Sequence, residues 1–198
     1  MKIFLNILGN YDILLQEVKF ELFDCEEEDE HKDLTKFLKN NGKNLKGIDV
    51  GNNDDSLKLT LNLAIAKFCP SLKSLCISFS RGEVDVLKRI LVCCQQLERI
   101  KVCCGDGCLN ESELLKVIAK HSPRKFYELK ILHPNNIPEL FQGLKLFFPS
   151  WANRTSQIPL SLIIINHSPL KVKKKTMKMV EKFKKLGLLK NSKWFENL

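Results

Sequence analysis

The hydrophobic positions of this chain recur in blocks. Leu45-x-x-Ile48-x-Val50 is followed by Leu72-x-x-Leu75-x-Ile77, then Leu97-x-x-Ile100-x-Val102, then Phe126-x-x-Leu129-x-Ile131. The anchors return every roughly 25 to 30 residues, close to the period of about 20–29 that marks leucine-rich repeats. A helical stripe precedes each anchor: Leu34, Phe37 and Leu38; Leu61, Ala64, Ile65 and Phe68; Leu87, Ile90, Leu91 and Cys94; Leu114, Leu115, Ile118 and Ala119. Spacings of three, four and seven put each set on one helical face. Gly42, Pro70 and Pro123 end three of these helices, and Gln95-Gln96 ends the other. Asn110 or Ser112 supplies an N-cap to the fourth, accepting from first-turn amides.

Each unit thus reads as helix, turn and short strand, and no unit can bury its apolar side alone. Stacking them predicts an α/β leucine-rich-repeat solenoid, with parallel strands on the concave face and helices on the convex face. The helices provide the crossovers that parallel strands require.

Outside the central units the pattern loosens. Glu17 to Phe23 alternates at period two, as the strand of an atypical first repeat. Glu139 to Phe148 is helical, Pro149 interrupts it, and Leu160 to Ile165 is a continuous apolar strand. Met177, Val180, Phe183 and Leu186 form a last stripe that ends at Gly187. The expected organisation is an atypical repeat and acidic loop over 1–30, repeats over 31–170, and a basic capping helix and tail over 171–198.

Charge changes the picture only at the ends. The net charge is +9 over 198 residues. Acidic residues gather in Asp24, Glu26, Glu27, Glu28, Asp29, Glu30 and Asp33, expected as a solvated loop leading into a helix at Asp33-Leu34; lysines gather from Lys171 to Lys193. The lysine-rich helix could meet nucleic acid or an anionic membrane. Its apolar stripe at core-packing spacing favours the capping role, and nucleic acid is not the expected partner.

Eight cysteines raise metal and redox chemistry. No Cys-x-x-Cys pair occurs and no histidine stands at finger spacing, so small buried thiols are expected rather than a zinc site. No secretory signal is recognised, which predicts free thiols in the cytoplasm or nucleus. No stretch reaches the roughly 20 apolar residues of a membrane span. His31, His121, His133 and His167 are scattered, and Gly105-Asp106-Gly107 lacks the rest of a phosphate loop. The expectation is a protein that is not an enzyme, with no catalytic residues, metal or cofactor.

The runs Phe37-Leu38-Lys39-Asn40-Asn41-Gly42-Lys43-Asn44-Leu45-Lys46, Phe68-Cys69-Pro70-Ser71-Leu72-Lys73-Ser74-Leu75 and Cys94-Gln95-Gln96-Leu97-Glu98 carry a family likeness. So do Gly105-Asp106-Gly107 with Leu109-Asn110, Ser122-Pro123 with Phe126-Tyr127-Glu128-Leu129-Lys130, and Ser150-Trp151-Ala152-Asn153-Arg154. Together they resemble the repeat region of F-box/leucine-rich-repeat proteins, in particular a group expanded in some fungal genomes. The resemblance implies a substrate receptor of a cullin-type (SCF) ubiquitin ligase, whose repeats hold the target and whose F-box docks a Skp-type adaptor. No F-box is found, so the chain is expected to be the repeat half alone, meeting the adaptor only if an F-box lies upstream. The asparagine that often closes such repeats stands at Asn53, with Ser80, Gly105 and Pro134 at the later equivalents.

If strands alternate, the residues beside the inward leucines face the concave side. Those are Gly47, Asp49, Ser74, Cys76, Arg99, Lys101, Glu128 and Lys130, with Lys73, Tyr127 and Leu132 near the rims. Arg and Tyr are frequent interface anchors. A protein target on this face is the expected partner; a stand-alone scaffold or decoy is the alternative to a ligase receptor.

Overall fold

The computed structural model describes residues 2–4, 16–21, 28–50, 55–104, 107–132, 137–154, 158–166 and 174–196. Asn53, Gly105, Asp106, His133, Pro134, His167, Lys171, Lys173 and the first part of the acidic run, Asp24 to Glu27, lie outside the described residues.

Strands and helices alternate. After β1 (Lys2–Phe4) and β2 (Glu17–Glu21) come α1 (Glu28–Asn41), β3 (Gly47–Asp49), α2 (Asp55–Phe68), β4 (Ser74–Ser78), α3 (Val84–Cys93) and β5 (Arg99–Cys103). Then follow α4 (Glu111–His121), β6 (Glu128–Leu132), α5 (Ile137–Ala152), β7 (Leu160–Asn166), α6 (Lys174–Lys185) and β8 (Leu189–Glu196). All the strands join one sheet in chain order; β2 to β8 are parallel, and β1 adds antiparallel to β2. Every parallel crossover advances by one strand in one direction, and such crossovers are right-handed. The helices therefore share one face of the sheet, and successive helices pack on each other.

The repetition extends to the backbone. The Gln16 carbonyl accepts from the amides of Lys46 and Gly47, and the Lys46 carbonyl from those of Lys73 and Ser74. The Lys73 carbonyl accepts from Glu98 and Arg99, and the Glu98 carbonyl from Tyr127 and Glu128. One carbonyl per unit thus satisfies two amides of the next. The strands pair so that Leu75 stands beside Ile100, and Ile100 beside Leu129, which keeps the buried set on one face.

The core lies between sheet and helices. The anchors Leu45, Leu72, Leu97 and Phe126 are buried, as are Ile48, Leu75, Ile100 and Leu129 one step along each strand. Leu38, Ile65, Leu91 and Ile118 meet them from the helices. Each such aliphatic is worth about 1.5–3 kcal/mol when fully buried. Asn110 caps α4, its side-chain oxygen accepting from the Ser112 amide at 2.8 Å. Buried Asn62 on α2 donates to the Ser78 carbonyl at 3.2 Å, tying the helix to the end of β4.

Four elements differ from the sequence expectation. Helix α1 begins at Glu28, several residues before Asp33, so part of the acidic run is helical backbone; carboxylates suit the positive end of a helix. Helix α5 continues through Pro149 to Ala152. Proline removes one donor, while Trp151 beyond it is buried, stacked on Phe147 at 5.5 Å and edge-on to Phe126 at 6.2 Å; that packing outweighs the lost bond. The guanidinium of Arg154 lies 4.2 Å over the Trp151 ring and donates to the carbonyls of Ser122 and Pro123, which fastens the end of α5 to the end of α4.

The expected capping tail is a further strand–helix unit. Gly187 adopts φ +70° and its amide donates to the Lys184 carbonyl, while Leu188 donates to Phe183, a Schellman closure of α6. The chain then enters β8, parallel to β7. Segment β1 had no strand signal either; it is held as an edge by antiparallel pairing with β2.

Candidate binding face

Parallel sheets are usually covered on both sides, and their strands then read as continuous apolar runs. Here β4, β5 and β6 alternate instead. Leu75 and Ile77, Ile100 and Val102, Leu129 and Ile131 point to the helices and are buried. Their neighbours face the other way, where no helix lies among the described residues. That open face carries a groove of about 380 Å³ lined by Asp49, Ser74, Cys76, Arg99, Lys101, Glu128 and Lys130, together with Glu17 and Lys19.

In-register pairing builds the face row by row. Gly47, Ser74, Arg99, Glu128 and Ser161 stand side by side from β3 to β7. Asp49, Cys76, Lys101, Lys130 and Ile163 form the next row. Arg99 is exposed, and Lys101 and Lys130 are half-buried. Lys130 pairs with Glu128 on its own strand at 3.2 Å.

Cys76 sits in the groove between Asp49 and Lys101. Burial, and secondarily the Asp49 carboxylate, push its thiol up to about 12, against a smaller opposing pull from Lys101. It is therefore a neutral thiol at physiological pH and a poor nucleophile. Among the described residues no group of three or more His, Cys, Asp or Glu side chains gathers as a metal site. No described helix is long and apolar enough to cross a membrane.

All eight residues expected on this face line the groove, and the three expected near its rims, Lys73, Tyr127 and Leu132, do not. Lys73 and Tyr127 precede β4 and β6, where their backbones belong to the interstrand ladder. Exposed Lys73 reaches Glu98 at 3.5 Å on the rim. Sequence reasoning missed Glu17 and Lys19, although the alternation of Glu17-Val18-Lys19 around buried Val18 already put them on one side. It also missed Ile163, hidden in an apolar run with no alternation to read.

A second depression, of about 750 Å³, lies on the helical side among Thr35, Leu63, Phe68, Arg89 and Cys93. Its residues come from side chains left over by helix packing, with no converging charged group beyond Lys67 and Arg89. No protein-family model, curated protein or solved structure matches the chain.

Proposed function

We propose that the chain is a leucine-rich-repeat solenoid that recognises another protein on its open sheet face, and that it binds rather than catalyses. One observation carries this reading: a parallel sheet with one face that no described helix covers, lined by Asp49, Arg99, Lys101, Glu128 and Lys130. An array of stacked units presents such a face as an extended concave surface. The groove is half open to solvent and lined by charged side chains, which suits a polypeptide better than a small molecule enclosed in an apolar pocket.

The resemblance to F-box/leucine-rich-repeat proteins supports a role in the cytoplasm or nucleus, holding a target for a cullin-type ubiquitin ligase. The repeats would be the target-holding part. A stand-alone scaffold would use the same face.

The test is a double charge reversal, Arg99→Glu with Lys101→Glu. A partner recovered with the wild-type chain from the source cells is titrated against both forms. The expected result is a loss of at least about 100-fold in affinity, in the range of interface hot spots, with an unchanged circular dichroism spectrum and Tm. Equal affinity for the two forms would move the site off this face. Co-purification of a Skp-type adaptor separates a ligase receptor from a scaffold.

A further inference from the structure

The open face is charged unevenly. From β4 to β7 it carries three cations, Arg99, Lys101 and Lys130, and among the described residues Glu128 is its single carboxylate. Glu128 is already engaged by Lys130. Lys101 stands opposite Lys130 in register, a like-charge pair of the kind that destabilises a sheet. Asp49 and Lys101 converge on Cys76, which stands between them in register; Asp49 offsets part of one cation and leaves the face from β4 to β7 net positive.

Beyond Ser161 the adjoining strand is apolar on the same side. Ile163 is in register with Lys130, and Ile165 with Leu132; both isoleucines are only half-buried. A strand with one wet face would ordinarily place polar residues there. Positive charge beside branched aliphatics defines a ligand with the complementary order.

We propose that this face holds an extended acidic polypeptide segment, its carboxylates on Arg99, Lys101 and Lys130 and a neighbouring apolar side chain against Ile163 and Ile165. The proposal rests on the reading of the face as a protein-recognition surface and names the chemistry of what it recognises. A single-stranded nucleic acid calls for a series of aromatic platforms under its bases; among the described residues β4 to β7 place none on this side, and Phe195, in register with Ile165, is the single aromatic of that row. A lipid surface calls for an outward amphipathic face, and this one is a groove.

Fluorescence polarisation tests it with the full chain. The probe is a fluorescein-labelled peptide of glutamates around a central phenylalanine; its counterparts carry glutamines or lysines in place of the glutamates. The acidic peptide is expected to bind, with the glutamine form at least about tenfold weaker and the affinity falling as salt is added. Arg99→Glu with Lys101→Glu should abolish binding. Glu128→Gln, which removes the competing carboxylate, should tighten it, a gain that misfolding cannot produce. Ile163→Ser should weaken it at unchanged Tm.

Equal binding of the glutamine or lysine peptide overturns the proposal, as does tighter capture of a labelled oligouridylate through the same two cations. If the double variant releases the partner recovered from cells while no acidic peptide binds, recognition stands and only the acidic class fails. If neither the partner nor the peptide responds to the double variant, both readings fail together.

Discussion

Cysteine acts in this chain as a small apolar side chain. Cys69, Cys94 and Cys104 are buried where helices and strands end, whereas Cys93 next to Cys94 is exposed. Burial pushes the thiols of Cys69 and Cys94 from an ordinary 9.0 up to about 12, and raises that of Cys104 as well. The sign of the consequence is fixed. Below pH 9 both folded and unfolded thiols are protonated, and stability does not depend on them. Between about pH 9 and 12 the unfolded thiols ionise while the folded ones do not, so stability falls by about 1.4 kcal/mol per pH unit per thiol. Urea unfolding under reducing conditions should show this decline, and Cys69→Ala should make it shallower. An unchanged slope would mean that Cys69 ionises as readily in the folded chain. Cys76 on the open face is shifted the same way, and among the described residues the chemistry visible at this scale is that of packing and surface charge.

At the scale of elements, local pattern and packing compete. Gly42 ends α1 as its breaker character predicts, yet the position also has a tertiary reason. A Cβ there would lie 2.6 Å from the Phe68 carbonyl oxygen and 3.0 Å from the Cys69 sulfur. The first unit therefore touches the second through backbone. Gly42→Ala should force the two apart and cost about 1–3 kcal/mol, the usual penalty of overpacking; a Tm equal to wild type would show that the contact relaxes freely. Pro149 is the opposite case, a breaker overridden because Trp151 has a pocket between Phe126 and Phe147. Strand β8 is a third kind. Leu189-Lys190-Asn191-Ser192-Lys193 has no alternation to announce a strand, and it forms because the edge of β7 offers unpaired backbone groups.

At the scale of the molecule, the strand order equals the chain order, so each unit touches only its neighbours. Stability in such an array is close to a sum of unit and interface contributions, and the ends fray first. Amide hydrogen exchange should therefore be slowest in β4, β5 and β6 and fastest in β1 and β8. Uniform protection along the sheet would instead mean a single cooperative unit. The charged face belongs to this scale too. No short motif encodes it, and it exists only because consecutive strands align Arg99 beside Glu128 and Lys101 beside Lys130.

The sequence by itself determined the units, because one repeated spacing specifies both which residues are buried and where each helix must turn back. It determined most of the open face for the same reason: strict alternation in β4 to β6 sends every second side chain away from the helices. Tertiary structure decided the ends and the register. Segments β1 and β8 have apolar residues but no alternation to announce a strand, and they form on an edge that others have built. In the central strands the register is the one that keeps Leu75, Ile100 and Leu129 side by side on the buried face. The placement of Ile163 beside Lys130 was likewise settled by pairing, since a strand apolar on both faces does not say which face it will show to water.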